Sequence, residues 1–208
     1  MAVKVWIIFY STYGHTKAMA EAVKKGVEAV EGVEATIYQV AETLSEEVLA
    51  KLHAAPKSDY PIIDPQPLLP RAPHPLPHPH NCSRSRRFGM MAAQMKAFFD
   101  ATGGLWQKGA LHGKPASMFT STASQGGGQE TTIMTAVTQL AHHGMIYVPS
   151  GFAAGPGMFD VKEARGGSAW GPGTLAGADG SRLPSEIELL QCEVMGKQLA
   201  SVAKKLKA

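Results

Sequence analysis

The residues best suited to chemistry in this chain stand together near its start, where Ser11, Thr12, Tyr13, Gly14, His15 and Thr16 follow one another without a break. An apolar run over 3–9 precedes them, and over 17–30 Ala18, Ala22, Val23, Val27 and Val30 recur at helical spacing. The order is therefore strand, tight polar turn, helix. Backbone N–H groups at a helix start and the positive end of the helix dipole converge on such a turn, and the hydroxyls of Ser11, Thr12 and Thr16 add donors without adding charge. That combination suits a terminal phosphate, although plain helix capping by Ser11 and Thr12 accounts for the same residues equally well. No G-x-x-x-x-G-K-[ST] motif and no G-x-G-x-x-G behind a strand occurs, so neither a P-loop ATPase nor a dinucleotide-binding domain is supported. A nest without a P-loop lysine is better matched to a monophosphate.

The elements that must hold this turn alternate in type. Residues 33–40 alternate like a second strand after Gly32, and 44–53 form a short amphipathic helix. Residues 90–101 predict a helix carrying Met91, Met95, Phe98 and Phe99, stopped by Gly103 and Gly104. Then come a strand over 115–122, a flexible Gly126-Gly127-Gly128 loop, a helix over 129–143, a short buried strand over 145–148 and a closing helix over 184–206. Strands alternating with helices make an open, doubly wound parallel α/β sheet, whose ligands sit beyond the carboxyl edge of the strands. Three polar, glycine-containing loops fall there: 11–16, 86–89 and 121–127. The glycine-rich stretch 150–183 reads as a long surface loop with brief strand pieces, a length uncommon without a purpose.

Composition bounds the rest. At 208 residues, 44% apolar and 18% charged, the chain is expected to be a single globular domain over 1–208. No apolar run approaches the roughly 18 residues of a membrane span, and no basic, cleavable leader opens the chain, so a cytoplasmic protein is expected. Its two cysteines, Cys82 and Cys192, form neither a C-x-x-C nor a metal spacing. The net charge of +3 is matched by a local excess of arginines over 61–87, and no basic face for nucleic acid is seen.

The segment 61–86 is aberrant. Prolines stand at 61, 65, 67, 70, 73, 75, 77 and 79, interleaved with histidines and arginines, and a proline cannot donate to a sheet ladder. His74, His78, His80 and Cys82 match no trusted zinc spacing, so no metal is expected. The expectation is an extruded or disordered segment and a disrupted third strand.

"STYGHT" over 11–16, "RFGMMAAQMKAFFDATGGLW" over 87–106, "STASQGGGQE" over 121–130 and "LAHHGM" over 140–145 closely resemble the WrbA-type NAD(P)H:quinone oxidoreductases, flavodoxin-like FMN proteins. The resemblance covers 1 to about 60 and 87–208. It implies a flavodoxin-like sheet ordered 2-1-3-4-5, bound FMN, NADH or NADPH as co-substrate, a quinone as acceptor in a ping-pong cycle, and a homotetramer whose sites lie near subunit contacts. Carried over by motif, Ser11, Thr12, Tyr13, Gly14, His15 and Thr16 would hold the FMN phosphate. Arg87, Phe88 and Gly89 would line one side of the isoalloxazine, with Arg86 standing where the family usually has Thr. Ser121, Thr122, Ala123, Ser124, Gln125, Gly126 and Gly127 would wrap the other, in a loop one residue longer than the commonest form. His142 resembles the family's flavin-contacting histidine, Tyr13 its nicotinamide-side residue and Trp106 the aromatic wall of its quinone pocket. No dedicated acid or base is evident. In the window 67–86 the family has a buried apolar strand, and this chain reads there like a shifted frame or a wrongly joined exon. The alternatives are a flavodoxin-type electron carrier or interaction module, or an inactive product if the third strand is lost.

Overall fold

The computed structural model describes residues 2–64, 78–85 and 88–207, the stretch 78–85 through its backbone alone. The chain runs β1 (Val3–Phe9), α1 (His15–Glu28), β2 (Val33–Gln39), α2 (Glu46–Lys51), β3 (His78–Ser85), α3 (Ala93–Asp100), α4 (Gly103–Gln107), β4 (Pro115–Ala116), β5 (Met118–Thr122), α5 (Gln129–His142), β6 (Ile146–Tyr147), β7 (Gly173–Leu175) and α6 (Glu186–Lys207). Five parallel strands form one sheet in the order β2-β1-β3-β5-β7, and β4 pairs with β6 beside it. The expected 2-1-3-4-5 order is present, with its fourth strand interrupted at Ser117 and its fifth made of two pieces. β6 pairs with the first half of strand four, and β7, delivered by the glycine-rich stretch, pairs with the second. That stretch is thus more than a surface loop, since Gly173, Thr174, Leu175 and Ala176 are buried.

β1 is an interior strand of this sheet, and both its faces are apolar. Val3, Val5, Ile7 and Phe9 pack with Met19, Val23, Phe119 and Met195 beneath α1 and α6, while Ile8 and Tyr10 pack with Met95, Phe98 and Phe99 of α3. Strand alternation sends neighbours to opposite faces, and each such side chain contributes about 1.5–3 kcal/mol when fully buried. α1 and α6 cross at two glycines: a Cβ on Gly26 would lie 1.9 Å from the Glu193 carbonyl oxygen, and one on Gly196 2.3 Å from that of Val23. Only hydrogen permits that approach.

The expectation of a lost third strand is corrected over 78–85. β3 is laddered to β1 from His78 to Asn81 and to β5 from Asn81 to Ser85. Its one proline, Pro79, lies ahead of the pairing with β5, where only one edge is paired, which is the kind of position proline tolerates. The ladder is a backbone property, so two largely buried neighbours can template a strand whose own side chains are polar. Residues 61–64 are ordered as well: Ile62 bridges Gln39, and Ile63 is buried. The prolines at 65, 67, 70, 73, 75 and 77, with His74 and Arg71, lie outside the described residues. Two smaller differences follow from turn chemistry. Gly103 opens α4 where a helix stop was expected, and the helix over 44–53 shortens to Glu46–Lys51, capped by the Ser45 hydroxyl accepting from Val48 N.

Candidate functional site

The loop from Ser11 to Gly14 leaves the carboxyl end of β1 and turns into α1 through Gly14, whose φ of 91° favours glycine. A Cβ there would meet nothing within 4 Å, so the turn faces open space. The first intrahelical bond runs from Ala18 N to Gly14 O, which leaves the N–H groups of Thr16 and Lys17 in the first turn ahead of it. Ser11 Oγ accepts from Gly14 N at 2.9 Å. Ser11 thus closes the turn rather than capping α1, whose N-cap Gly14 makes no side-chain cap bond, and its hydroxyl proton stays available to an anion. Thr12, nearly buried, donates to the Tyr10 hydroxyl, which donates to Glu42 Oε2 at 3.0 Å. Thr16 commits its hydroxyl to the Tyr10 carbonyl at 2.6 Å, so it fastens the loop instead of donating outward. The Tyr13 hydroxyl donates to Leu52 O, and His15 turns away from the nest, its Nε2 3.0 Å from the Arg182 carbonyl.

Beside it the second loop leaves β5. Ser121 and Thr122 are buried, and Ser121 Oγ has no hydrogen-bond partner among the described residues. Thr122 Oγ1 donates to Ser124 O and accepts from Gln129 Nε2, closing the loop on the first residue of α5. Ala123 is half-buried, and Ser124, Gln125 and Gly126 are exposed. Gly127 N donates back to Ser124 O. Ser124, Gln125, Gly126, Gln129 and Arg165 line an open groove of about 480 Å³. The third loop touches the second: a Cβ on Gly128 would lie 2.6 Å from Gly89 Cα. Next to Gly89, Phe88 stands fully exposed at φ 59°, a conformation rare for a bulky residue. Arg86 and Arg87 lie outside the described residues. The first and second loops thus leave the carboxyl ends of β1 and β5, and the second touches the described part of the third at Gly89.

Two expected residues do not join them. His142 closes α5, whose other end adjoins the second loop, so roughly 20 Å of helix separates it from that loop. Trp106 sits with it at the amino-terminal edge: Trp106 N bonds Thr102 O, and Thr102 Oγ1 lies 2.8 Å from Nε2 of His143. Both His142 and Trp106 are exposed. Within one chain neither reaches the loops.

Other residues hold the loops and escaped the sequence reading. Glu42 accepts from Tyr10, Gln94, Thr43 N and Leu44 N; burial raises its pKa, but these bonds outweigh that and hold it below the ordinary value. Glu188, 1% exposed, collects donors from several segments of the 164–185 stretch. The spacing Ser185-x-x-Glu188 is a capping-box signature and was the signal available for it. Glu42 had no such local signal.

The flavodoxin family pattern matches residues 7–144 of this chain. The chain belongs to the flavodoxin family. It is 55% identical over 207 residues to a protein of Triphysaria versicolor named quinone-oxidoreductase QR2, covering 100% of this chain and 98% of that one. It is 49% identical to the Candida albicans protein named NAD(P)H quinone oxidoreductase PST3, over 99% of this chain and 100% of the other. Among solved structures, a flavodoxin, WrbA-like protein from Agrobacterium tumefaciens superposes with a TM-score of 0.63 at 23% identity, covering 98% of this chain and 99% of that one. The flavodoxin fold implies a flavin, and two observations fit one here: the open glycine turn at Gly14, and the buried Ser121 hydroxyl at the mouth of the second loop.

Proposed function

We propose that this flavodoxin is an FMN-dependent NAD(P)H:quinone oxidoreductase. The observation that carries the reading is identity near 50% over almost the full length to relatives named for that activity. The three-loop edge supports it. Ser11, Thr12, Gly14 and the first turn of α1 bind the FMN phosphate, with Tyr13, His15 and Thr16 holding that turn in shape. Phe88 and Gly89, with Arg86 and Arg87, and the 121–127 loop flank the ring. When bound, FMN accepts hydride from NADH or NADPH and passes it to a quinone. The chain's own part is to bind the phosphate, orient the ring between two glycine-bearing loops and exclude water from its faces.

We place residues 1–208 in a single domain with 150–183 as an insertion, in the cytoplasm, without a nucleic-acid partner. Since His142 and Trp106 stand at the opposite edge, they serve a flavin only in a neighbouring copy, which supports the homotetramer. Among the described residues no helix is long and apolar enough to cross a membrane.

The test is the purified protein's visible spectrum followed by initial rates. A flavin spectrum, NAD(P)H-dependent quinone reduction and parallel double-reciprocal lines are expected. A flavin spectrum without quinone turnover leaves an electron carrier, and intersecting lines reject the shared site.

A further inference from the structure

Glu188 gathers more hydrogen bonds than its place on a terminal helix requires. Its carboxylate accepts from Ser185 N at 2.8 Å, Gly166 N at 2.7 Å, Thr174 Oγ1 at 2.8 Å and Leu175 N at 3.2 Å. It also accepts from Arg182 Nη1, 2.9 Å from one oxygen and 3.1 Å from the other. The side chain is fully buried, and Arg182 is its only salt-bridge partner among the described residues. A buried carboxylate is stable only with such a set of donors, and losing one partner leaves an uncompensated charge. The arrangement is therefore rigid.

From this knot the contacts run to the first and second loops of the candidate site. The Arg182 guanidinium also donates to Leu175 O and Ala164 O, its backbone N–H donates to Ala176 O at 3.0 Å, and its carbonyl meets Nε2 of His15, the first residue of α1, next to Gly14. On the other side Ala176, just past β7, donates its N–H to Thr122 O at 2.7 Å, and Gln129 Nε2 donates to both Thr174 O and Thr122 Oγ1. We propose that Glu188 is a positioning residue for the phosphate end of the flavin site, acting through Arg182 and His15 on the Ser11–Gly14 turn. The proposal rests on the FMN reading above. The 164–185 stretch is then a strap that Glu188 holds closed against both loops.

Riboflavin, which lacks the phosphate, separates positioning from general stability. FMN and riboflavin dissociation constants are measured by fluorescence titration for the full chain, for Glu188→Gln, for His15→Leu and for the double variant. His15→Leu breaks the link without touching the buried carboxylate, so an unchanged FMN-to-riboflavin ratio in it overturns the proposal even where Glu188→Gln does not fold. The expected result is an FMN constant at least tenfold weaker in each single variant, a riboflavin constant within twofold of the parent, and no further loss in the double variant. A His15→Leu protein whose FMN-to-riboflavin ratio equals the parent's overturns the proposal, as do losses that fall on both flavins alike. A parent chain that binds neither flavin defeats the FMN reading itself, a result distinct from a parent that binds FMN with an insensitive ratio.

Discussion

Ser11 does two jobs that separate by experiment. Its oxygen accepts from Gly14 N and closes the turn, and its proton remains for an anion. Replacing Ser11 with alanine is expected to cost about 1 kcal/mol of apoprotein stability for the lost turn hydrogen bond. It should also weaken FMN by roughly tenfold or more, because a hydrogen bond to a charged group contributes about 1.5–3 kcal/mol. Melting of the apoprotein reads the first and flavin titration the second; a lowered melting point with unchanged FMN affinity would reduce the residue to a turn former. Gly128 is the other decisive single position. With φ at 85° and Gly89 Cα 2.6 Å from a Cβ placed there, Gly128→Ala pushes the second and third loops apart. A loss of about 1–3 kcal/mol and a drop in flavin content of the purified protein are expected.

Among elements, the α1–α6 crossing and the central strand carry the sharpest consequences. The backbones at Gly26 and Gly196 touch the opposing helix so closely that alanine at either forces the helices to separate. Gly26→Ala should destabilise by about 3 kcal/mol, read as a fall of about 6–12 °C in Tm for a chain of this size. β3 presents the reverse case. It lies between β1 and β5 with α1 over one face and α5 over the other, yet its sequence is His-Pro-His-Asn-Cys-Ser-Arg-Ser. A parallel strand so covered ordinarily carries valine and isoleucine. Replacing Asn81 and Ser83 together by valine is therefore expected to raise the urea midpoint, by about 1–3 kcal/mol in stability. An unchanged or lowered midpoint would show that polar residues suit that strand.

For the whole molecule, three buried or half-buried groups set the response to acid. His143 is buried with Nε2 against Thr102 Oγ1, and burial, reinforced by the charge of His142, lowers its pKa from the ordinary 6.5. The native state keeps it neutral while the unfolded chain takes up the proton, so stability falls as the pH drops below about 6.5. Burial would raise Glu188 and Glu42, but their hydrogen bonds outweigh it and hold both below the ordinary 4.5. Their contribution is complete above that value and is lost as the pH falls through the lowered ones. Urea midpoints measured from pH 7 to pH 3 should decline in two stages. His143→Gln should flatten the first and Glu188→Gln the second, and a profile that neither variant alters would contradict the assignment.

What the sequence determined by itself was local. The polar turn over 11–16, the alternation of strands and helices and the glycine loops are written in residues a few positions apart, where a period of two or 3.6 and turn chemistry decide. The family resemblance added the sheet order. Tertiary structure decided what depends on distant partners. A polar, proline-bearing stretch became the central strand because β1 and β5 supply a ladder that asks only for its backbone. The fifth strand was assembled from Ile146–Tyr147 and Gly173–Leu175, two pieces too short to be read as one. His142 and Trp106, alike in motif to residues of a flavin site, were carried to the far edge by the length of α5 and the turn at Thr102. Glu188 was brought under both loops by a strap whose path no local pattern encodes, because only folding brings its donors to one buried carboxylate.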